Sequence, residues 1–95
     1  MIVERLTWQV KPGHVDEFAE LLKAERERYS KIPARIYKIW VGPFNVVAWE
    51  GEFESDEERH KFWTDWLAQP QAQTLMKNMT ELQDPGGSRE LWVLE

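Results

Sequence analysis

The chain has 95 residues, 42% of them apolar and 31% charged, with a net charge of −5 and no cysteine. That balance describes a folded globular chain and excludes disulfides, thiolate metal sites and a cysteine nucleophile. The negative charge opposes binding to a nucleic-acid backbone, and no apolar run is long enough to span a membrane.

A length of 95 residues favours one domain over 1–95. A folded chain this short hides only about 60–65% of its unfolded surface, so its core is thin. The N-terminal stretch MIVERLTWQV carries Glu4 and Arg5 and no apolar h-region. It is read as the start of the domain rather than as a secretory signal, with the cytoplasm as the expected location.

Ile2 to Val10 is predicted as the first strand. Ile2, Leu6, Trp8 and Val10 alternate onto one face, interrupted by Glu4; Val3, Arg5, Thr7 and Gln9 take the other. Pro12-Gly13 stops it. His14 to Tyr29 is predicted as a helix, with Val15, Phe18, Leu22 and Tyr29 at helical spacing and Asp16 and Glu17 in the dipole-favoured first turn. Arg35 to Val41 is rich in β-branched and aromatic residues and reads as a second strand. After a Gly42-Pro43 turn, Phe44 to Phe53 reads as a third, with Asn45, Val47, Trp49, Gly51 and Phe53 on one face and Val46, Ala48, Glu50 and Glu52 on the other. Strands this close form an antiparallel hairpin.

Ser55 and Glu58 match a capping box ahead of a helix that presents Phe62, Trp63, Trp66 and Leu67. Pro70 cannot continue that helix but suits the first turn of another, predicted over Pro70 to Leu82 with Ala72, Leu75, Met76 and Met79 inward. A loop at Asp84–Ser88 leads to a last strand, Arg89 to Leu94. The order β-α-β-β-α-β gives an α+β, ferredoxin-like fold: a four-stranded antiparallel sheet with helices on one face. Its reverse face, carrying Val3, Arg5, Thr7 and Gln9 beside Val46, Ala48, Glu50 and Glu52, is mixed in polarity. Water can tolerate such a face, and a second copy would also cover it.

Three segments carry a family resemblance: Glu4-Arg5-Leu6-Thr7-Trp8 with Val10-Lys11-Pro12-Gly13; Val41-Gly42-Pro43-Phe44-Asn45-Val46-Val47 leading to Trp49 and Glu52-Phe53-Glu54-Ser55; and Phe62-Trp63, Gln69-Pro70 and Leu75-Met76. In order and spacing the chain resembles the dimeric α+β barrel superfamily, and within it NIPSNAP-like proteins. The resemblance implies a homodimer with sheets packed face to face, and a small-molecule site inside each subunit between sheet and helices. That cleft would be lined by Glu4, Leu6, Trp8, Asn45, Val47, Trp49, Trp63, Trp66 and Met76. Haem-degrading members use an Asn on strand one, a Trp ending strand three and a late His ligand. Leu6, Phe53 and Met76 stand near those positions, so no haem is expected.

Six tryptophans in 95 residues admit two readings: large side chains filling a thin core, or walls of a ligand cavity. The ligand-binding candidates are Trp8, Asn45, Trp49, Trp63, Trp66 and Met76, for a small hydrophobic or aromatic molecule. Glu4 and Asn45 are the polar candidates for catalysis, as a general base and as a hydrogen-bond donor to substrate. Each has a plainer reading: Glu4 as a strand-end carboxylate paired with a Lys or Arg, Asn45 as a turn residue. Two well-separated histidines and no acidic cluster predict no metal site, and no cofactor motif is present. Three functions stay open: a binder of a small apolar molecule, a cofactor-independent monooxygenase-like enzyme, and a non-catalytic dimeric interaction module. A cleft of a few hundred Å³ beside Trp8 and Trp49 favours the first two; a filled core leaves the third.

Overall fold

A computed structural model describes all 95 residues. The elements are β1 (Ile2–Gln9), α1 (Val15–Arg28), β2 (Ala34–Lys38), β3 (Val46–Phe53), α2 (Asp56–Leu67), α3 (Pro70–Leu82) and β4 (Ser88–Val93). The strands form one antiparallel sheet in the order β2-β3-β1-β4, the ferredoxin-like arrangement, with its second helix split into α2 and α3. The split follows the sequence. Ser55 Oγ accepts from Glu58 N–H at 3.2 Å and opens α2, without the return bond from the Glu58 side chain, and Pro70 opens α3 at its first turn.

Alternation along the strands sorts the side chains by face. On the helix side, β1 turns Glu4, Leu6 and Trp8 toward Gly51, Trp49 and Val47 of β3. Beneath α1 and α3 lies a close-packed cluster of Val10, Phe18, Ala19, Leu22, Val47, Leu75 and Met79. No helix of the structure is long and apolar enough to cross a membrane.

Two expectations need correction. The β2–β3 hairpin is shorter than its sequence suggested: β2 ends at Lys38 and β3 starts at Val46. Asn45 takes a left-handed φ of 60°, which breaks the pleat, so it is a turn residue and not the first inward residue of β3. Ile39 N–H still reaches Val46 O at 3.1 Å, but beyond it the ladder stops and Trp40 to Phe44 stand in solvent. The second correction concerns α2, which was expected to bury Phe62, Trp63, Trp66 and Leu67. It buries no residue. Three of them are half-buried and Leu67 is exposed, because α2 meets the sheet through Phe62 and Trp63 and borders unfilled space along the rest of its inner side.

Candidate functional site

That space is a cavity of about 490 Å³ between the helices and the β1–β3 half of the sheet. Trp8 from β1, Trp49 from β3, Phe62, Trp63 and Trp66 from α2, Tyr29 from α1 and Met76 from α3 stand around it. The aromatic wall is continuous. Trp49 stacks near Phe62 at 6.4 Å and lies 5.4 Å from Trp63; Phe62 meets Trp63 edge to face at 4.9 Å, and Trp63 meets Trp66 edge to face at 5.6 Å. Offset and edge-to-face pairs at these distances are the arrangements favoured by the ring quadrupoles, so the rings brace one another without filling the centre.

The local sequence explains this. Phe62, Trp63 and Trp66 sit at i, i+1 and i+4 on one side of α2. Gly51, opposite Glu4 on β1, has no side chain, and a Cβ there would lie 2.3 Å from Trp49 Cη2 and 2.9 Å from Ile32 Cδ1. The glycine thus gives the Trp49 indole the room to lie along its own strand.

Both ends of the wall are anchored by carboxylates. Trp63 Nε1–H donates to Glu4 Oε1 at 2.7 Å, and Trp66 Nε1–H donates to Glu25 Oε2 at 2.6 Å. Glu4 is fully buried. Its Oε2 makes no well-formed hydrogen bond but lies 3.1 Å from Arg89 Nε and 3.6 Å from a terminal nitrogen of Arg59. Arg59 also reaches Asp56 at 2.8 Å. The buried charge is therefore met by two guanidinium groups from α2 and β4, as a buried carboxylate requires. At the other end Arg28 chelates Glu25 through Nε at 2.7 Å and Nη2 at 2.6 Å. That bond, more than the one from Trp66, holds the Glu25 carboxyl below its ordinary pKa, against a partial opposing effect of burial. Burial raises the Tyr29 hydroxyl above its usual value, with the nearby Asp65 charge acting in the same sense.

The sequence candidates divide cleanly by position. Trp8, Trp49, Trp63, Trp66 and Met76 come together on the one cavity. Asn45 lies outside it, at the mouth of the β2–β3 loop, where its carbonyl accepts from Val10 N–H at 2.8 Å. Glu4 sits beneath Trp63, within the arginine pair and away from Asn45. Sequence reading missed Glu25, Tyr29, Arg59 and Arg89 on the lining. Glu25 on α1 and Tyr29 at its C-cap carried a signal, since they follow the buried Leu22 by three and seven positions. Arg59 and Arg89 carried none, because their partner Glu4 is remote in the chain.

No protein-family model matches the chain, and no curated protein matches it in sequence. Its fold has solved counterparts. An uncharacterized NIPSNAP domain protein from Burkholderia xenovorans is similar with a TM-score of 0.80 at 21% identity, over 100% of this chain and 95% of that one. A NIPSNAP family protein from Agrobacterium tumefaciens gives 0.80 at 14% identity, over 97% and 90%. An antibiotic biosynthesis monooxygenase gives 0.74 at 14% identity, over 100% and 99%. At these identities the likeness is one of fold: the chain has the NIPSNAP-like, ferredoxin-like α+β architecture.

Proposed function

We propose that the protein binds a small hydrophobic or aromatic molecule in the cavity between sheet and helices, and that it does so as a homodimer paired through the open sheet face. One observation carries the binding reading. Four tryptophans surround about 490 Å³ that they do not fill, within the size range of small-molecule sites. A chain using its large side chains only to complete a thin core would close that volume. The lining suits a flat apolar ligand, with polar groups confined to the Glu25 end and the Arg59–Arg89 end.

An oxygenase activity is the second reading, favoured by the monooxygenase among the similar folds and by the aromatic walls. It needs a polar group free to act on substrate. Glu4 is engaged by Trp63, Arg59 and Arg89, and Asn45 faces elsewhere. The binding reading therefore leads.

Native mass spectrometry of the protein as purified from cells tests both parts together. The expected spectrum shows twice the chain mass with a small apolar adduct that is lost on collisional activation. A bare protein that also leaves its tryptophan emission unchanged on addition of 1-naphthol would remove the binding reading. A single-chain mass at all accessible concentrations would remove the dimer.

A further inference from the structure

The two polar ends of the cavity differ in what they leave unused. At one end both oxygens of Glu25 are taken. Arg28 donates to Oε1 at 2.7 Å and to Oε2 at 2.6 Å, and Trp66 Nε1–H adds a bond to Oε2 at 2.6 Å. That carboxylate already holds its counter-charge and has little left for a ligand cation.

At the other end the surplus is in donors. Arg59 of α2 and Arg89 of β4 both line the cavity. Each guanidinium carries several N–H donors in a fixed fork and no acceptor. Arg59 commits Nε to Asp56 at 2.8 Å, and its Nη2 finds only the His60 ring at 3.5 Å. Arg89 Nε stands 3.1 Å and Arg59 Nη1 3.6 Å from Glu4 Oε2, yet that oxygen accepts no well-formed hydrogen bond. Both arginines therefore hold Glu4 by charge and keep N–H groups for another acceptor.

The charge balance points the same way. Glu4 is the buried carboxylate between the two guanidinium groups. Asp56 is 57% exposed, so water screens its charge from the site. One positive charge is left over at the cavity wall, in a chain whose net charge is −5. Desolvation does not forbid an anion there. Arg89 is 62% and His60 70% exposed, so the cavity meets solvent at this end and a bound carboxylate keeps part of its hydration.

The aromatic wall leads to the same place. Leu6 and Arg89 are register partners on β1 and β4, which sets Arg89 on the helix side of the sheet. Trp63 Nε1–H donates to Glu4 Oε1 at 2.7 Å, so its indole abuts the carboxylate that both arginines face. A flat ring lying against Trp63 carries its substituent next to the guanidinium pair.

We infer that the ligand is an aromatic acid, its ring held by the tryptophan wall and its carboxylate received by Arg59 and Arg89. The inference rests on the cavity binding proposed above and names the class of molecule bound. A planar fork matches a carboxylate in shape as well as in charge.

Calorimetric titration of the full chain near neutral pH with 1-naphthoate, 1-naphthol and (1-naphthyl)methylamine tests this. The three share one ring system and present an anion, a neutral hydroxyl and a cation. The wild type is expected to bind 1-naphthoate about tenfold or more tighter than 1-naphthol. Arg89→Gln is expected to cut that preference below about threefold. Arg89→Lys keeps the charge but loses the fork, and is expected to fall between the two. Far-UV circular dichroism reports whether each variant is folded, and the lysine variant, which retains a cation beside Glu4, carries the test if the glutamine variant is not. 1-Naphthol bound as tightly as 1-naphthoate overturns the acid site and leaves cavity binding standing. The amine bound tightest reassigns the polar contact to Glu25 and also overturns it. A preference for 1-naphthoate that neither variant alters places the carboxylate away from the arginine pair and contradicts the inference. No binding of any of the three removes both the acid site and the cavity reading beneath it.

Discussion

The six tryptophans fall into two sets with opposite surroundings. Trp8, Trp49, Trp63 and Trp66 ring a cavity on the helix side, Trp63 packed against both Trp49 and Trp66, with two of their indole N–H groups anchored on carboxylates. Trp40, in the β2–β3 loop, and Trp92, on β4, stand in solvent. The same residue type serves in one set as a rigid wall around unfilled space and in the other as unpartnered surface. Composition alone does not separate these roles. What separates them is the strand register for Trp8, Trp49 and Trp92, the packing of α2 for Trp63 and Trp66, and the turn at Asn45, which leaves Trp40 in the loop.

Substitutions sharpen the contrast. Trp49 is buried and touches both Phe62 and Trp63, so Trp49→Ala is expected to cost about 3–5 kcal/mol in urea-induced unfolding. A loss below about 1 kcal/mol would mean that the wall is loosely held. Glu4→Leu leaves Trp63 Nε1–H without its acceptor and Arg59 and Arg89 without their shared partner. Arg89 is largely solvated and Arg59 keeps Asp56, so about 2–3 kcal/mol is expected and not more. Gly51→Ala drives a methyl group into the Trp49 ring, and about 1–2 kcal/mol is expected together with a changed near-UV signal from the displaced indole.

The acid response is smaller. Glu25 has a folded-state pKa below its unfolded one, so its contribution is complete above the ordinary glutamate pKa of about 4.3 and is lost as the pH falls through the depressed value. The stability difference between wild type and Glu25→Gln is therefore expected to shrink between about pH 6 and about pH 3. A difference that stays constant across that range would show that the Arg28–Glu25–Trp66 link adds nothing. Smallest of all is Trp40→Ala, at a side chain 96% exposed, which is expected to cost under about 0.5 kcal/mol in dilute protein. A loss that grows with protein concentration marks contact with a second copy.

Strand alternation made the helix-facing residues of β1 and β3 legible, including Glu4 as the lone charge on an apolar face. Pro70 made the break between α2 and α3 legible to the residue. Three things were not. The end of β2 depended on the left-handed turn at Asn45, and asparagine also occurs in extended chain. The guanidinium partners of Glu4 arise from tertiary packing of α2 and β4, which no local pattern encodes. The cavity itself is an absence of packing: Phe62, Trp63 and Trp66 show the same spacing whether they close on the sheet or stand off it. An aromatic helix face reads as core until its distance from the sheet is known.

The comparison reduces to six indole N–H signals in one ¹⁵N–¹H correlation spectrum. On titration with 1-naphthol, a bicyclic phenol small against the cavity, the signals of Trp8, Trp49, Trp63 and Trp66 are expected to shift together along one saturating curve. Those of Trp40 and Trp92 are expected to hold still. Shifts confined to Trp40 and Trp92, or none in any of the six at millimolar ligand, would contradict a binding cavity between sheet and helices.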